Sequence, residues 1–97
     1  MERFPAGHWT RTQWRDFKHL KIGEHYVVAR QFTDYDGKVH AAGEAWRFLG
    51  HDFLAYDDGL SLFVSLDGSG EWQIRLQWVA EEQAAMIDDL GSYIRPV

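Results

Sequence analysis

Residues 34–44, DYDGKVHAAGE, bring together two aspartates, a histidine and a glutamate, the side chains most able to perform chemistry. A calcium loop of the EF-hand type needs oxygen ligands at its first, third and fifth positions and a glutamate at its twelfth. Aligning Gly37 with the glycine of such a loop puts Phe32 at the first position and Gly43 at the twelfth. Neither side chain can bind calcium, so the pattern favours a turn in which an aspartate caps the backbone.

His40 and Glu44 have a spacing that would let both bind one metal ion on a helix. On an extended strand the same two residues would lie about 13 Å apart, at roughly 3.3 Å per residue, which is too far for one ion. His51 could join them only if the chain folded back. We therefore expect no metal ion and no cofactor, and we keep His40, Glu44 and His51 as an alternative small-molecule, metal or minor catalytic site.

Nucleophilic catalysis finds little support in the sequence. There is no cysteine, which removes thiolate nucleophiles and thiolate metal sites. Ser69 lies in DGSGE, which lacks the glycine-serine-glycine elbow of the hydrolases. We therefore predict a protein that is not an enzyme.

Acidic and aromatic side chains gather around two Asp-Gly turns and the segment between them. Tyrosine and tryptophan are favoured anchors in protein interfaces because they offer large areas with few rotatable bonds. The alternative to a surface role is burial in the core for Trp46 and packing within the turns for the tyrosines. The predicted binding residues are Asp34, Tyr35, Asp36, Glu44, Trp46, Tyr56, Asp57 and Asp58.

The 97-residue chain has a net charge of −5, and its length predicts a single domain over 1–97. Residues 1–21 carry five basic and two acidic side chains (+3), and residues 22–97 carry five basic and thirteen acidic ones (−8). Such an acidic body should repel nucleic acid and attract a basic protein. There is no signal-like or membrane-spanning apolar run, so we expect a cytoplasmic protein that does not bind membranes.

The sequence patterns predict a helix, a series of strands and a second helix. Thr10 is a good N-cap for a helix over about 10–21. Alternating apolar residues predict strands across about 25–78, most clearly in EWQIRLQW, whose polar face holds Glu71, Gln73, Arg75 and Gln77. In LSLFVSL the same alternation puts Leu60, Leu62, Val64 and Leu66 on one face and Ser61 and Ser65 on the other. An apolar stripe of Val79, Met86, Ile87, Leu90 and Ile94 predicts a closing helix over about 79–91. Residues 38–56 fit either a strand or a helix; we favour strands because glycines interrupt the run.

Several short motifs carry a resemblance to a known family: the Gly-x-x-Tyr opening, DYDG, GEAWRFLG and YDDGLSLFV. The run over 20–64 resembles a small bacterial family of unknown function, and its pattern is similar to SH3-like barrels. The resemblance implies a fold and a bacterial source, and it supplies no catalytic residue. With the helices added, the prediction is an α+β fold, an SH3-like five-stranded antiparallel barrel or curled sheet flanked by an N-terminal and a C-terminal helix.

Small size, acidity and the absence of a catalytic constellation together favour a binding function. The hypothesis is a non-catalytic protein-binding module of bacterial origin that captures a basic partner through its acidic, aromatic surface. One concrete version is an immunity or inhibitor protein that blocks a toxin. In the alternative, the barrel mouth near His40, Glu44 and His51 binds a small molecule or a metal.

Overall fold

The computed structural model describes residues 3–5, 15–54, 59–66, 70–78 and 83–97. Strands dominate these ranges, and the two helices are short. The elements in chain order are β1 (Arg3–Pro5), β2 (His25–Val28), β3 (Phe32–Thr33), β4 (Val39–His40), β5 (Ala45–Leu54), β6 (Gly59–Ser65), β7 (Gly70–Gln77), α1 (Ala84–Asp88), α2 (Leu90–Tyr93) and β8 (Ile94–Pro96).

Six strands form one antiparallel sheet in the order β1-β7-β6-β5-β2-β8, and β3 and β4 form a separate hairpin. The strands β1 and β8 are the two edges, and no pairing within the described ranges joins them. The α+β class is therefore confirmed, whereas the closed SH3-like barrel is not. The sheet also has one strand more than predicted on the C-terminal side, because the last residues pair with β2.

Two strands, β4 and β5, occupy most of the ambiguous middle of the chain, as favoured from its glycines; residues 41–44 form a turn between them, and residues 55–56 lie outside the described ranges. The strand β5 runs unbroken for ten residues and pairs with both β2 and β6. Its register against β6 shifts between Phe48 and Gly50. The shift leaves Leu49 as an extra residue, and both Phe48 and Leu49 are buried. A bulge of this kind bends a strand and strengthens its twist.

The core lies on one face of the sheet and is closed by the C-terminal helices. The predicted alternation on β6 and β7 is confirmed by the burial of Leu60, Leu62, Val64, Ile74 and Leu76. The alternation has exceptions. Leu66 is exposed because β6 ends before it, whereas Ser65 and Glu71, expected on the polar face, are buried.

The predicted N-terminal helix is wrong for residues 15–21, which are not helical; residues 10–14 lie outside the described ranges. Phe17 and Leu20 exchange two backbone hydrogen bonds of 2.9 and 2.8 Å around a tight turn. Lys18, inside the turn, has a positive φ of 52°. Leu20 is fully buried and Phe17 packs against the core. The apolar spacing therefore marks core contacts that are made from a loop, because tertiary packing overrides a weak local preference.

The closing helix is confirmed only in part. Residues 79–82 lie outside the described ranges, and the remainder forms α1 and α2, which are separated at Asp89. Met86, Ile87 and Leu90 are buried as predicted. Ile94 is buried too, but it opens β8. None of the helices in the described ranges is long and apolar enough to cross a membrane.

Candidate functional site

The DYDG segment forms the loop of the hairpin between β3 and β4, and Asp34 organises it. Its Oδ1 accepts hydrogen bonds from the backbone N–H groups of Asp36 at 2.9 Å and Lys38 at 3.0 Å. Gly37 has a φ of 83°, a conformation that side chains rarely adopt. The prediction of a turn capped by an aspartate is therefore confirmed.

The same aspartate reaches inward to His40. A hydrogen bond of 2.8 Å joins Asp34 Oδ2 to Nε2 of His40, and both side chains are almost completely buried. The ring of Phe32 stacks on the imidazole, with the centroids 4.7 Å apart and the planes 19° apart. The imidazole of His40 thus contacts the carboxylate of Asp34 at one edge and the ring of Phe32 on one face.

Glu44 completes the group from the other side. Its Oε2 lies 2.7 Å from His40 Nδ1 and accepts a 3.2 Å hydrogen bond from the indole N–H of Trp46. The predicted separation of about 13 Å is wrong because residues 41–44 form a turn: the N–H of Glu44 bonds to the carbonyl of Ala41, and Gly43 has a φ of 100°. We call Asp34, His40 and Glu44 the buried triad after its two buried members; the Glu44 side chain is partly exposed.

The surroundings of His40 favour its protonated form. Burial by itself lowers the pKa of His40, but hydrogen bonds to Glu44 and Asp34 and the charges of both carboxylates outweigh it. The pKa of His40 is therefore raised above its ordinary value of 6.5. In the protonated form both ring nitrogens donate, one to each carboxylate, which satisfies every polar atom of the imidazole.

This arrangement is poorly suited to catalysis or to metal binding. Both nitrogens of His40 are engaged, so a reacting group or a metal ion would first have to displace a carboxylate. Within the described ranges no three such side chains are placed to hold a metal ion. His51 does not join the triad: it lies seven residues beyond Glu44 along β5, roughly 20 Å at strand spacing. Its Nδ1 bonds to the carbonyl of Arg15 instead.

The outer side of the hairpin is held against β7. The N–H of Tyr35 donates to the carbonyl of Arg75 at 2.7 Å. The guanidinium of Arg75 bonds to Asp36 at 3.1 Å and lies 5.7 Å from the centre of the Tyr35 ring. Despite these contacts Tyr35 is 45% exposed, and Val39 on β4 is 58% exposed. The hairpin therefore presents an aromatic and an aliphatic side chain to solvent on a fixed backbone.

The structure sorts the predicted binding residues by exposure. Tyr35 and Asp36 are exposed, and the side chain of Glu44 is 25% exposed. Asp34 and Trp46 are each 2% exposed, so neither side chain lies at the surface, and Trp46 takes the core position that the sequence left open. Asp34 is drawn inward by His40, and Trp46 faces the core from β5. Tyr56, Asp57 and Asp58 lie outside the described residues.

Three residues of the candidate site were not predicted from the sequence: Phe32, Val39 and Arg75. Phe32 directly precedes the turn, and its alternation with Asp34 along the chain is a signal that both side chains share the inner face. Arg75 is exposed on the polar face of its strand, as the alternation in EWQIRLQW predicts. Its contact with the hairpin depends on tertiary packing, and no local signal identifies it.

Comparison with known proteins shows which family the chain belongs to. A family model described as a domain of unknown function, DUF3601, matches residues 11–95. Among solved structures, the chain is similar to integron cassette protein VCH_CASS4 from the mobile metagenome of Vibrio cholerae. That structure is 37% identical, has a TM-score of 0.87, and aligns over 92% of this chain and 99% of its own. No curated protein is significantly similar. The chain belongs to the family of the domain of unknown function DUF3601.

Proposed function

We propose that this chain is a non-catalytic protein-binding module of bacterial origin, and that the hairpin over residues 32–40 is its contact surface. The observation that carries the proposal is the combination of exposed Tyr35 and Val39 with a backbone locked from beneath by the buried triad. A loop that is ordered before binding loses less entropy when the complex forms, which favours recognition. The similarity to a Vibrio cholerae protein supports the bacterial origin.

The partner we propose is a basic protein, in one version a toxin that this module inhibits. The net charge of −5 would steer a basic partner toward the chain. The role of the individual acids differs from the sequence-based hypothesis, because Asp34 is buried and cannot touch a partner. Asp36 is exposed and already pairs with Arg75. A cationic side chain of the partner would compete with Arg75 for that carboxylate, next to the Tyr35 ring.

The test compares three versions of the tagged protein in a pull-down from bacterial lysate, at low and at high salt. One is unchanged, one carries Tyr35→Ala with Val39→Ser, and the control carries Ile22→Ser. Ile22 is 48% exposed and lies outside the hairpin, so the control removes a similar apolar surface elsewhere. Neither variant should reduce stability by more than about 0.5 kcal/mol, because the changed side chains are exposed.

The proposal expects one stoichiometric basic partner that is retained by the unchanged protein and by the control. The hairpin double variant should lose it, and high salt should weaken it because screening reduces charge attraction. If the hairpin double variant retains the partner equally well, the contact surface is not the hairpin. The absence of any stoichiometric protein partner would refute the proposed function.

A further inference from the structure

A second surface with recognition chemistry lies on the face of the sheet that points away from the core. Strand pairing sets His25 of β2 opposite Arg47 of β5, and Arg47 opposite Ser65 of β6. Trp46 and Phe48, the neighbours of Arg47, are buried in the core. Because successive side chains on a strand alternate between its faces, Arg47 projects to the opposite side.

Arg47 is the centre of this surface. Its Nη2 would lie 3.8 Å from a Cβ built on Gly23, so the guanidinium extends over that glycine. Arg47 is exposed, and no carboxylate of the described residues pairs with it. A guanidinium presents a planar fork of hydrogen-bond donors, and this geometry matches the oxygens of a carboxylate or a phosphate group.

Two adjoining cavities open around this side chain. The first, of about 630 Å³, is lined by Gly23, His25, Arg47, Ser65, Leu66 and Val97, among others. The second, of about 510 Å³, shares His25 and Val97 with it and adds Lys21 and Glu24. Each volume is in the range of about 300–1,000 Å³ that small-molecule sites occupy. The two cavities lie on either side of these shared residues, and we call them together the β2–β5 groove.

The lining of the β2–β5 groove holds two positively charged side chains. Arg47 lines the first cavity and Lys21 the second, and Glu24 is the acidic side chain among the described lining residues. Leu66 and Val97, at the lip, are exposed apolar side chains. The lining thus combines a fixed positive charge with an apolar edge.

We propose that the β2–β5 groove binds a small molecule that carries a carboxylate or phosphate group on an apolar body. Arg47 holds the anionic group, with His25 beside it, and the apolar body lies against Leu66 and Val97. The inference is independent of the proposed function, since the hairpin over 32–40 contributes none of the residues named for the groove.

The test is a titration of the full chain followed by the chemical shifts of its backbone amides. The probes are hexanoate, inorganic phosphate and hexanol, which separate the carboxylate, the phosphate and the apolar tail. Each is added to the unchanged protein, to Arg47→Gln and to the control Arg30→Gln. Arg30 is an exposed arginine that lies over the Tyr93 ring and does not line the groove. The amide spectrum of each variant also reports whether it is folded.

The proposal expects hexanoate or phosphate to shift the amides of Gly23, His25 and Leu66. Arg47→Gln should raise the dissociation constant of that probe by about tenfold or more, the usual effect of losing a charged hydrogen bond, and Arg30→Gln should leave it unchanged. A response to phosphate alone would assign the site to phosphate-bearing molecules. Equal binding of hexanol, an undiminished response in Arg47→Gln, or no response to any probe would overturn the proposal.

Discussion

His40 Nδ1 lies 2.7 Å from Glu44 Oε2, and these two residues stand at the end of β4 and just before the start of β5. The contact exists because residues 41–44 turn back on themselves, and Gly43 has the positive φ that lets them do so. The turn is also bonded to β2, through the N–H of Gly43 and the carbonyl of Val28 at 2.8 Å. The buried triad therefore links the hairpin over 32–40 to the main sheet.

Replacing Asp34 with Asn should destabilise the protein by about 2–4 kcal/mol. The change keeps the shape of the side chain but leaves one acceptor oxygen where Asp34 has two. Either His40 Nε2 or the backbone N–H groups of Asp36 and Lys38 therefore lose their buried acceptor. Urea unfolding followed by tryptophan fluorescence measures the effect. The control is Asp36→Asn, whose exposed pair with Arg75 should contribute no more than about 0.5 kcal/mol. Equal losses in the two variants would contradict the structural role of Asp34.

The stability of the protein should fall as the pH rises above neutrality. The pKa of His40 is raised in the folded state, so folding favours its protonated form. This stabilisation is fully present below the ordinary histidine pKa of about 6.5 and is lost as the pH rises through the folded-state pKa. Urea midpoints from about pH 6 to about pH 9 should decline. In His40→Gln this decline of the urea midpoint with pH should become smaller, because the titrating group is gone. An unchanged decline in that variant would show that His40 is not its cause.

Gly43→Ala should cost about 1 kcal/mol of stability. No atom lies within 4 Å of the added Cβ, so the cost comes from the backbone φ of 100° alone. The control is Gly91→Ala in α2, where the added Cβ also meets open space. Alanine favours a helix over glycine, so that variant should be neutral or slightly stabilised. Thermal unfolding of both variants measures the difference, and a loss in Gly91→Ala as large as that in Gly43→Ala would count against the argument.

Ile94→Ala should destabilise the protein by about 2–5 kcal/mol, the range for deleting a buried aliphatic side chain. Ile94 is fully buried, and its carbonyl also lies 2.6 Å from Nε2 of His19. The neighbouring Arg95 is exposed, so Arg95→Ala should change stability by less than about 0.5 kcal/mol. Chemical denaturation of both variants tests the burial pattern of β8. Comparable effects in the two would show that this pattern is wrong.

Features that depend on residues close together in the chain were predictable from the sequence. The alternation of Leu60, Leu62 and Val64 predicted both the strand and its buried face, because side chains on a strand alternate with a period of two. The DYDG turn followed from the bonding capacity of Asp34 and the backbone freedom of Gly37. The family resemblance was also visible in the sequence, because its motifs are short and contiguous.

Features that depend on residues far apart in the chain became evident only in the folded protein. The spacing of Phe17 and Leu20 suits a helix, yet both reach the core from a turn. Asp34 looked like a surface acid, and its burial became evident only with His40 beside it. Three residues at the C-terminal end form a strand because β2 offers a free edge. Packing energy outweighs local preferences of a few tenths of a kcal/mol per residue, so these outcomes follow from the whole fold.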